Sequence, residues 1–141
     1  MRALAHDVVR TPSSRPLSAC LLNLQGRLAA VLTEFHPDVV AIEGLFYARF
    51  AKTALLLGHA RGVAIATCAQ AGIAVHEYEP RRVKQAVVGF GGASKAQIQQ
   101  MVMSQLGLAK IPSEDAADAL AIAICHLHNT QRLRITEAKT L

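Results

Sequence analysis

Two aspartates three residues apart are the residues of this sequence best suited to chemistry. Asp115 and Asp118 stand at the start of an alanine-rich segment whose pattern predicts a helix. Residues three apart share one face of a helix, about 5–6 Å apart at Cβ. Two carboxylates held that close repel each other unless a cation or a shared proton lies between them. The pair therefore predicts a half-site for Mg²⁺ or Mn²⁺, which prefer oxygen ligands.

Each candidate acid also has an ordinary structural explanation. An acid in the first turn of a helix interacts favourably with the helix dipole, which accounts for Asp115 without a metal. Glu43 follows a predicted strand at 39–42, where functional groups of open α/β sheets gather, but surface acids are also common there. Asp118 lies further into the helix, among alanines and Leu120. This apolar setting predicts that Asp118 is partly buried and needs a partner.

The elements that must position these acids alternate between strands and helices. The apolar patterns predict strands at 4–10, 39–42 and 73–78, and long helices at 17–35 and 49–71. Three further helices are predicted. The first runs from Pro80 to a break at Gly89–Gly92, the second from a capping box at Ser94 to Gly107, and the third begins at a cap at Ser113. A serine is also the predicted N-cap of the first long helix, and strand 39–42 is apolar enough to be buried on both faces. The alternation predicts an α/β fold with a largely parallel sheet. We expect one domain over residues 1–141, with a frayed tail after residue 129.

Composition narrows the class of protein. The 141 residues are 52% hydrophobic, which excludes disorder, yet no apolar run approaches the roughly 18 residues of a membrane span. The three cysteines fit reduced thiols in a cytoplasmic protein, and Cys68 and Cys125 are predicted core thiols.

His126 and His128 are two apart on a helix, which sends their rings to different faces and argues against a shared metal. The net charge of +5 weakly favours a polyanionic partner such as nucleic acid.

Four segments, in order along the chain, resemble the RuvC family of Holliday junction resolvases, also called crossover junction endodeoxyribonucleases. They are Ala-Ile-Glu-Gly-Leu-Phe at 41–46, Gly-His-Ala-Arg-Gly-Val at 58–63, Arg-Val-Lys-Gln-Ala-Val-Val-Gly at 82–89 and Asp-Ala-Ala-Asp-Ala-Leu-Ala at 115–121. The resemblance covers almost the whole chain. It implies an RNase H-like three-layer fold, with a mixed, largely parallel sheet flanked by helices. It also implies a homodimer in which each subunit nicks one of two opposed strands of a four-way DNA junction, using Mg²⁺ or Mn²⁺.

The resemblance assigns roles to six residues. They are the metal-binding acids Glu43, Asp115 and Asp118, which match three of the family's four, and the DNA-binding residues Phe46, Lys84 and Lys95. The acids would hold about two cations per active site. The lysines would approach the DNA backbone and supply salt-dependent affinity, although an arbitrary lysine is more often a solvated surface residue. Phe46 would contact junction bases, and a core phenylalanine explains it equally well.

The chain departs from the family pattern at its N-terminus. The family's fourth acid is an aspartate on the first strand, in a setting like Gly-Ile-Asp-Pro-Gly, and this sequence has no such motif. Asp7 lies in a segment that corresponds to the third strand of the family, so we do not assign it to catalysis. We expect the first two strands to lie upstream of Met1, in a sequence truncated at its N-terminus. Without the fourth acid, most two-metal catalysis should be lost.

Three functions follow as alternatives. The leading one is a structure-selective endonuclease that resolves four-way junctions in recombination and repair, in the cytoplasm and together with branch-migration proteins of RuvA and RuvB type. The second is a catalytically inactive module that binds junctions or dimerises. The third is another RNase H-like nuclease, against which the segments at 82–85 and 115–118 argue.

Overall fold

Helices and strands alternate in the first half of the chain, and three successive helices follow the second strand. The structure is a computed structural model that describes residues 1–44, 51–131 and 139–140. In chain order the elements are α1 (Leu17–Phe35), β1 (Val39–Glu43), α2 (Ala51–Gln70), β2 (Ala74–Tyr78), α3 (Pro80–Val88), α4 (Lys95–Leu106), α5 (Glu114–Gln131) and β3 (Lys139–Thr140). The three strands form one sheet in the order β1-β2-β3. This arrangement confirms the predicted α/β class.

The predicted helix ends are set largely by local sequence. Ser94 forms the predicted capping box of α4, because its side chain accepts the Gln97 N–H while the Gln97 side chain accepts the Ser94 N–H. Gly107 ends α4 in the left-handed region, at φ 63°. The predicted serine cap of α1 is wrong, since Pro16 is the N-cap and makes no side-chain cap bond. The serines at 13 and 14 lie too far upstream of the first helical turn.

Two strand predictions need correction. Residues 4–10 form no strand. The described sheet consists of β1, β2 and β3, and residues 4–10 do not pair with any of them. The predicted burial of 39–42 on both faces is also wrong, because β1 is exposed at its ends and half-buried between them, at one edge of the described sheet. At the C-terminus α5 continues to Gln131, and the frayed tail after residue 129 stays a prediction.

The chain divides into two compact units, and the first contains the predicted acids. It consists of Met1–Val8, Ala41–Gly44 and the described part of Glu77–Lys139. Its core is built from apolar side chains that share one face of each helix, at spacings of three or four residues. These are Val83 and Val87 on α3, Ile98, Val102 and Leu106 on α4, and Ala121, Ile122, Ile124 and Cys125 on α5, together with Tyr78 and Ala93. The stripes fix the α5 helix against α3 and α4.

The second unit contains the two long helices. It consists of Val9–Val40, residues 51–76 and Thr140. Within it α1 packs against α2, with Leu32, Thr67 and Cys68 buried. Throughout the described ranges, every helix is too short or too polar to pass through a lipid bilayer. The prediction of a single domain over 1–141 stays a prediction.

Candidate active site

Glu43, the first candidate acid, is the last residue of β1. The N–H of the following residue, Gly44, donates a hydrogen bond of 2.8 Å to the carbonyl oxygen of Tyr78, the last residue of β2. Gly44 is buried, and a Cβ at this position would lie 3.0 Å from Oε1 of Glu77. The two strand ends are therefore joined closely, and this contact sets the point from which the Glu43 side chain projects.

The two aspartates lie in the first turns of α5. Ser113 precedes the helix and confirms the predicted cap, since its carbonyl oxygen accepts the Ala117 N–H at 2.8 Å and its Oγ accepts the Ala116 N–H at 3.4 Å. Ala116 and Ala117 are buried, whereas Asp115 and Asp118 are exposed. Asp118 keeps exposed surface because the small alanines occupy the core side of the helix, yet loss of hydration is the largest cause of its raised pKa, in agreement with its predicted partial burial.

Electrostatics connect Glu43 with Asp118. Loss of hydration raises the pKa of Glu43 above its usual 4.5, the charge of Asp118 raises it further, and the charge of Lys84 opposes both. Loss of hydration also raises the pKa of Asp118 above 3.8, with Lys95 opposing the shift and Asp115 adding to it. Both acids keep exposed surface, so water screens part of this repulsion. The structure thus brings Glu43 within electrostatic reach of Asp118, beside Asp115.

The two predicted DNA-binding lysines both act on the charge of these acids. Lys84 is half-buried on α3 and its charge lowers the pKa of both Glu43 and Asp118. Lys95 is the first residue of α4, and its Nζ lies 2.6 Å from Oε2 of Glu114, with the two side chains 66% and 57% exposed. The hydrogen bond to Glu114, followed by the charge of that carboxylate, raises the pKa of Lys95. Positive charge therefore borders the acids.

Glu114 is a member of this site that the sequence pattern does not select. It is adjacent to Asp115 and rotated by about 100° around the helix, so the spacing rule for residues three apart does not select it. Its contact with Lys95 joins the starts of α4 and α5. The spatial proximity of these two helix starts is a tertiary feature, and no local pattern in either helix signals it.

The arrangement offers oxygen ligands that suit a divalent cation. Glu43 and Asp118 are near enough for the charge of one to disfavour ionisation of the other, and a bound cation would relieve that repulsion. Carboxylates are the ligands that Mg²⁺ and Mn²⁺ prefer. Among the described residues, no three His, Cys, Asp or Glu side chains are gathered as a ready metal site. The carboxylate chemistry of these donors suits the cation, and Asp118, whose charge acts on Glu43 and which Asp115 acts on in turn, would be their central member.

Three further predictions can be located. Phe46 lies outside the described residues. The rings of His126 and His128 contact different partners, the hydroxyl of Tyr78 at 2.8 Å and the carbonyl oxygen of Ala86 at 3.2 Å. The predicted core thiols are confirmed, with Cys68 1% and Cys125 0% exposed.

Known sequences resemble this chain along most of its length. A sequence model of the family described as crossover junction endodeoxyribonuclease RuvC matches residues 1–126. The chain is 50% identical over 135 residues to the protein of that name from Chloroflexus aurantiacus strain J-10-fl, a match that covers 95% of this chain and 82% of the relative. It is 48% identical over 128 residues to that of Alkaliphilus oremlandii, covering 90% of this chain and 78% of the relative.

Solved structures agree with the sequence matches. The structure of Thermus thermophilus RuvC in complex with a Holliday junction substrate superimposes with a TM-score of 0.90 at 36% identity, covering 99% of this chain and 84% of the other. A second structure of Thermus thermophilus RuvC gives a TM-score of 0.85 at 33% identity, covering 99% and 82%. These matches confirm the RNase H-like fold class predicted from the resemblance.

Proposed function

This chain belongs to the RuvC family of crossover junction endodeoxyribonucleases, and we propose that it is a structure-selective endonuclease that resolves four-way DNA junctions by paired nicks. The observation that carries the proposal is the coupling of Glu43 at the end of β1 to Asp118 on α5, at positions that the family resemblance assigns to metal ligands. A similar fold alone does not establish a function. The site adds carboxylates whose charges act on one another, with two lysines that lower the pKa of Asp118.

The chain's own residues would hold the metal and the scissile phosphate. Glu43, Asp115 and Asp118 would supply the carboxylate oxygens, for about two Mg²⁺ ions per active site, with Mn²⁺ able to substitute. Bound cations of this kind contribute activation of a water and stabilisation of the leaving 3′ oxygen in an in-line displacement. The raised pKa of Glu43 and of Asp118 means that both ionise less readily without a cation. Metal affinity should therefore increase with pH, since ligands must be deprotonated.

The lysines would place the DNA backbone next to the acids. Lys84 on α3 and Lys95 on α4 lie near enough to the acids for their charges to lower the pKa of Asp118, which supports this role. Contacts from lysine to phosphate position a duplex without reading its sequence. Each such contact would steepen the salt dependence of binding by about 0.9 in log–log slope. Phe46 would contact bases at the junction.

The finer assembly is part of the same proposal. We propose a homodimer that places one active site against each of two opposed strands. Branch-migration proteins of RuvA and RuvB type would be its partners in the cytoplasm, and recombinational repair of DNA would be its process. The likeness to a RuvC structure in complex with a Holliday junction substrate supports junction DNA as the ligand.

A nicking assay tests the proposal. The purified chain would be mixed with an end-labelled four-way junction, with and without Mg²⁺, and both nicking and binding would be measured. Paired, symmetrical nicks that need the metal would support the nuclease and would show that the first-strand aspartate missing from this sequence is not essential. Asp118→Asn should abolish nicking and largely retain binding, because it removes a carboxylate ligand at nearly constant volume. Asp38→Asn, which removes an exposed carboxylate just before β1, is the matched control and should nick normally.

Two results would count against the proposal. Binding without nicks by the unsubstituted chain would favour the inactive junction-binding module instead. Equal nicking by Asp118→Asn would remove this acid from the metal site. A duplex control of the same sequence distinguishes junction selectivity from general nuclease activity, since a structure-selective enzyme should leave the duplex intact.

A further inference from the structure

Tyr78 and His126 form a buried polar contact outside the group of acids. The Tyr78 hydroxyl lies 2.8 Å from Nδ1 of His126, and the two rings meet edge to face with centroids 5.8 Å apart. Tyr78 is 2% and His126 8% exposed. A hydrogen bond shielded from water in this way is directional and costly to leave unmade. It joins the end of β2 to the second half of α5.

The same tyrosine also contacts the elements that hold Glu43 and Lys84. Its carbonyl oxygen accepts the N–H of Gly44, the residue directly after Glu43, at 2.8 Å. Its ring lies 5.8 Å from the guanidinium carbon of Arg82 on α3, two residues before Lys84. One residue thus meets the strand of one acid, the helix of the lysine and, through His126, the helix of the two aspartates.

We propose that Tyr78 is a positioning residue that, through its bond to His126, holds the Glu43 end of β1 and the aspartates of α5 at a fixed separation. The inference rests on the proposed function, since it concerns the geometry of that active site. Tyr78 acts through Gly44, Arg82 and His126, so its effect on the reaction is indirect.

The length of α5 turns a small movement at His126 into a large one at Asp118. His126 follows Asp118 by eight residues, which is about 12 Å along the helix axis. A tilt of about 5° around the Tyr78 contact would displace Asp118 by about 1 Å at that length. Misplacement of about 1 Å can lower the rate of an enzyme reaction by about 100-fold. The Tyr78 hydroxyl therefore controls the geometry in which Glu43 and Asp118 share a cation.

Tyr78→Phe tests this role, because it removes the hydroxyl and keeps the ring. The matched control is Thr67→Val, which removes a buried hydroxyl that donates to the Val63 carbonyl at 2.7 Å within α2. We expect Tyr78→Phe to raise the Mn²⁺ dissociation constant, measured by electron paramagnetic resonance, by about 10-fold. The nicking rate at saturating junction should fall by a similar factor, with junction affinity unchanged. Thr67→Val should alter none of these quantities.

Hydrogen exchange separates this inference from the proposed function. Exchange of the Gly44 amide should accelerate in Tyr78→Phe and not in Thr67→Val, whether or not the chain nicks DNA. Failure of the unsubstituted chain to nick would overturn the proposed function, while faster Gly44 exchange would still support the positioning role. Unchanged exchange with unchanged Mn²⁺ affinity would overturn the positioning role.

A pair of histidine substitutions decides the question if Tyr78→Phe does not fold. The amide of an asparagine lies near the Nδ1 position of histidine, whereas the amide of a glutamine extends past it. His126→Asn should therefore keep the slow exchange of Gly44 and the Mn²⁺ affinity, and His126→Gln should lose both. Equal behaviour of these two variants would overturn the inference.

Discussion

Removing the carboxylate of Asp118 should stabilise the protein while it inactivates the site. The pKa of Asp118 is raised, first by loss of hydration and then by Asp115 and Glu114, against the opposing charges of Lys95 and Lys84. A raised pKa means that the folded state holds the ionised carboxylate less favourably than the unfolded chain does. Asp118→Asn removes this unfavourable charge at neutral pH and keeps the volume of the side chain.

The magnitude of the gain is limited by solvent exposure. The Asp118 side chain is exposed, so water screens its charge and we expect a gain in unfolding free energy of no more than about 1 kcal/mol at pH 7. In a chain of this size that gain should raise the melting temperature by about 3–5 °C. Asp38→Asn, the exposed control with the same charge change, should leave the melting temperature unchanged.

The pH dependence has a defined sign. Because the folded state binds the Asp118 proton more tightly than the unfolded chain, the destabilisation is fully present above the raised pKa. It disappears as the pH falls through that value and below 3.8. The advantage of Asp118→Asn over the unsubstituted chain should therefore shrink on acidification. Added Mg²⁺ should reverse the order at pH 7, since a cation at ten times its dissociation constant stabilises the binding form by about 1.4 kcal/mol.

Thermal unfolding followed by circular dichroism, at pH 7 and in acid, measures these differences. A melting temperature for Asp118→Asn at or below that of the unsubstituted chain at pH 7 would refute the reasoning. A gap that widens on acidification would refute it as well, because the sign of the linkage would then be opposite.

Three further outcomes follow from the contacts described above. Glu114→Gln frees Lys95 from its ion pair and removes a negative charge near the proposed DNA surface, so junction affinity in a binding titration should increase a few-fold and depend more steeply on salt. Ser94→Ala breaks the capping box of α4 and should lower the unfolding free energy by about 1 kcal/mol in a urea titration. Cys125 is buried and burial raises the pKa of its thiol, so iodoacetamide should label the partly exposed Cys20 first.

Each of these outcomes has a matched comparison. Glu34→Gln removes the same charge from an exposed site on α1 and should leave junction affinity unchanged, so an equal gain would indicate a general charge effect. Ser104→Ala removes an exposed serine within α4 and should not destabilise, because alanine favours a helix. Equal labelling rates of the two cysteines would contradict the burial of Cys125.

Several elements were predictable because their signals are local. The capping box at Ser94 and the left-handed glycine at Gly107 set the limits of α4 through contacts within a few residues, and Ser113 does the same for the start of α5. The apolar stripe of Ile98, Val102 and Leu106 specifies which face of α4 is buried. Residues 4–10 show the limit, since an apolar pattern indicates a strand only where a second strand pairs with it.

The sequence by itself determined the family, the alternation of helices and strands, and the residue types of the candidate site, because motif order and periodicity are written along the chain. The nearness of Glu43 to Asp118, the outward direction of the aspartates, the ion pair between Lys95 and Glu114, and the Tyr78–His126 bond were decided only by the tertiary structure. These contacts join residues between 19 and 75 positions apart. Packing of whole elements, which depends on all their side chains together, determines which of them meet.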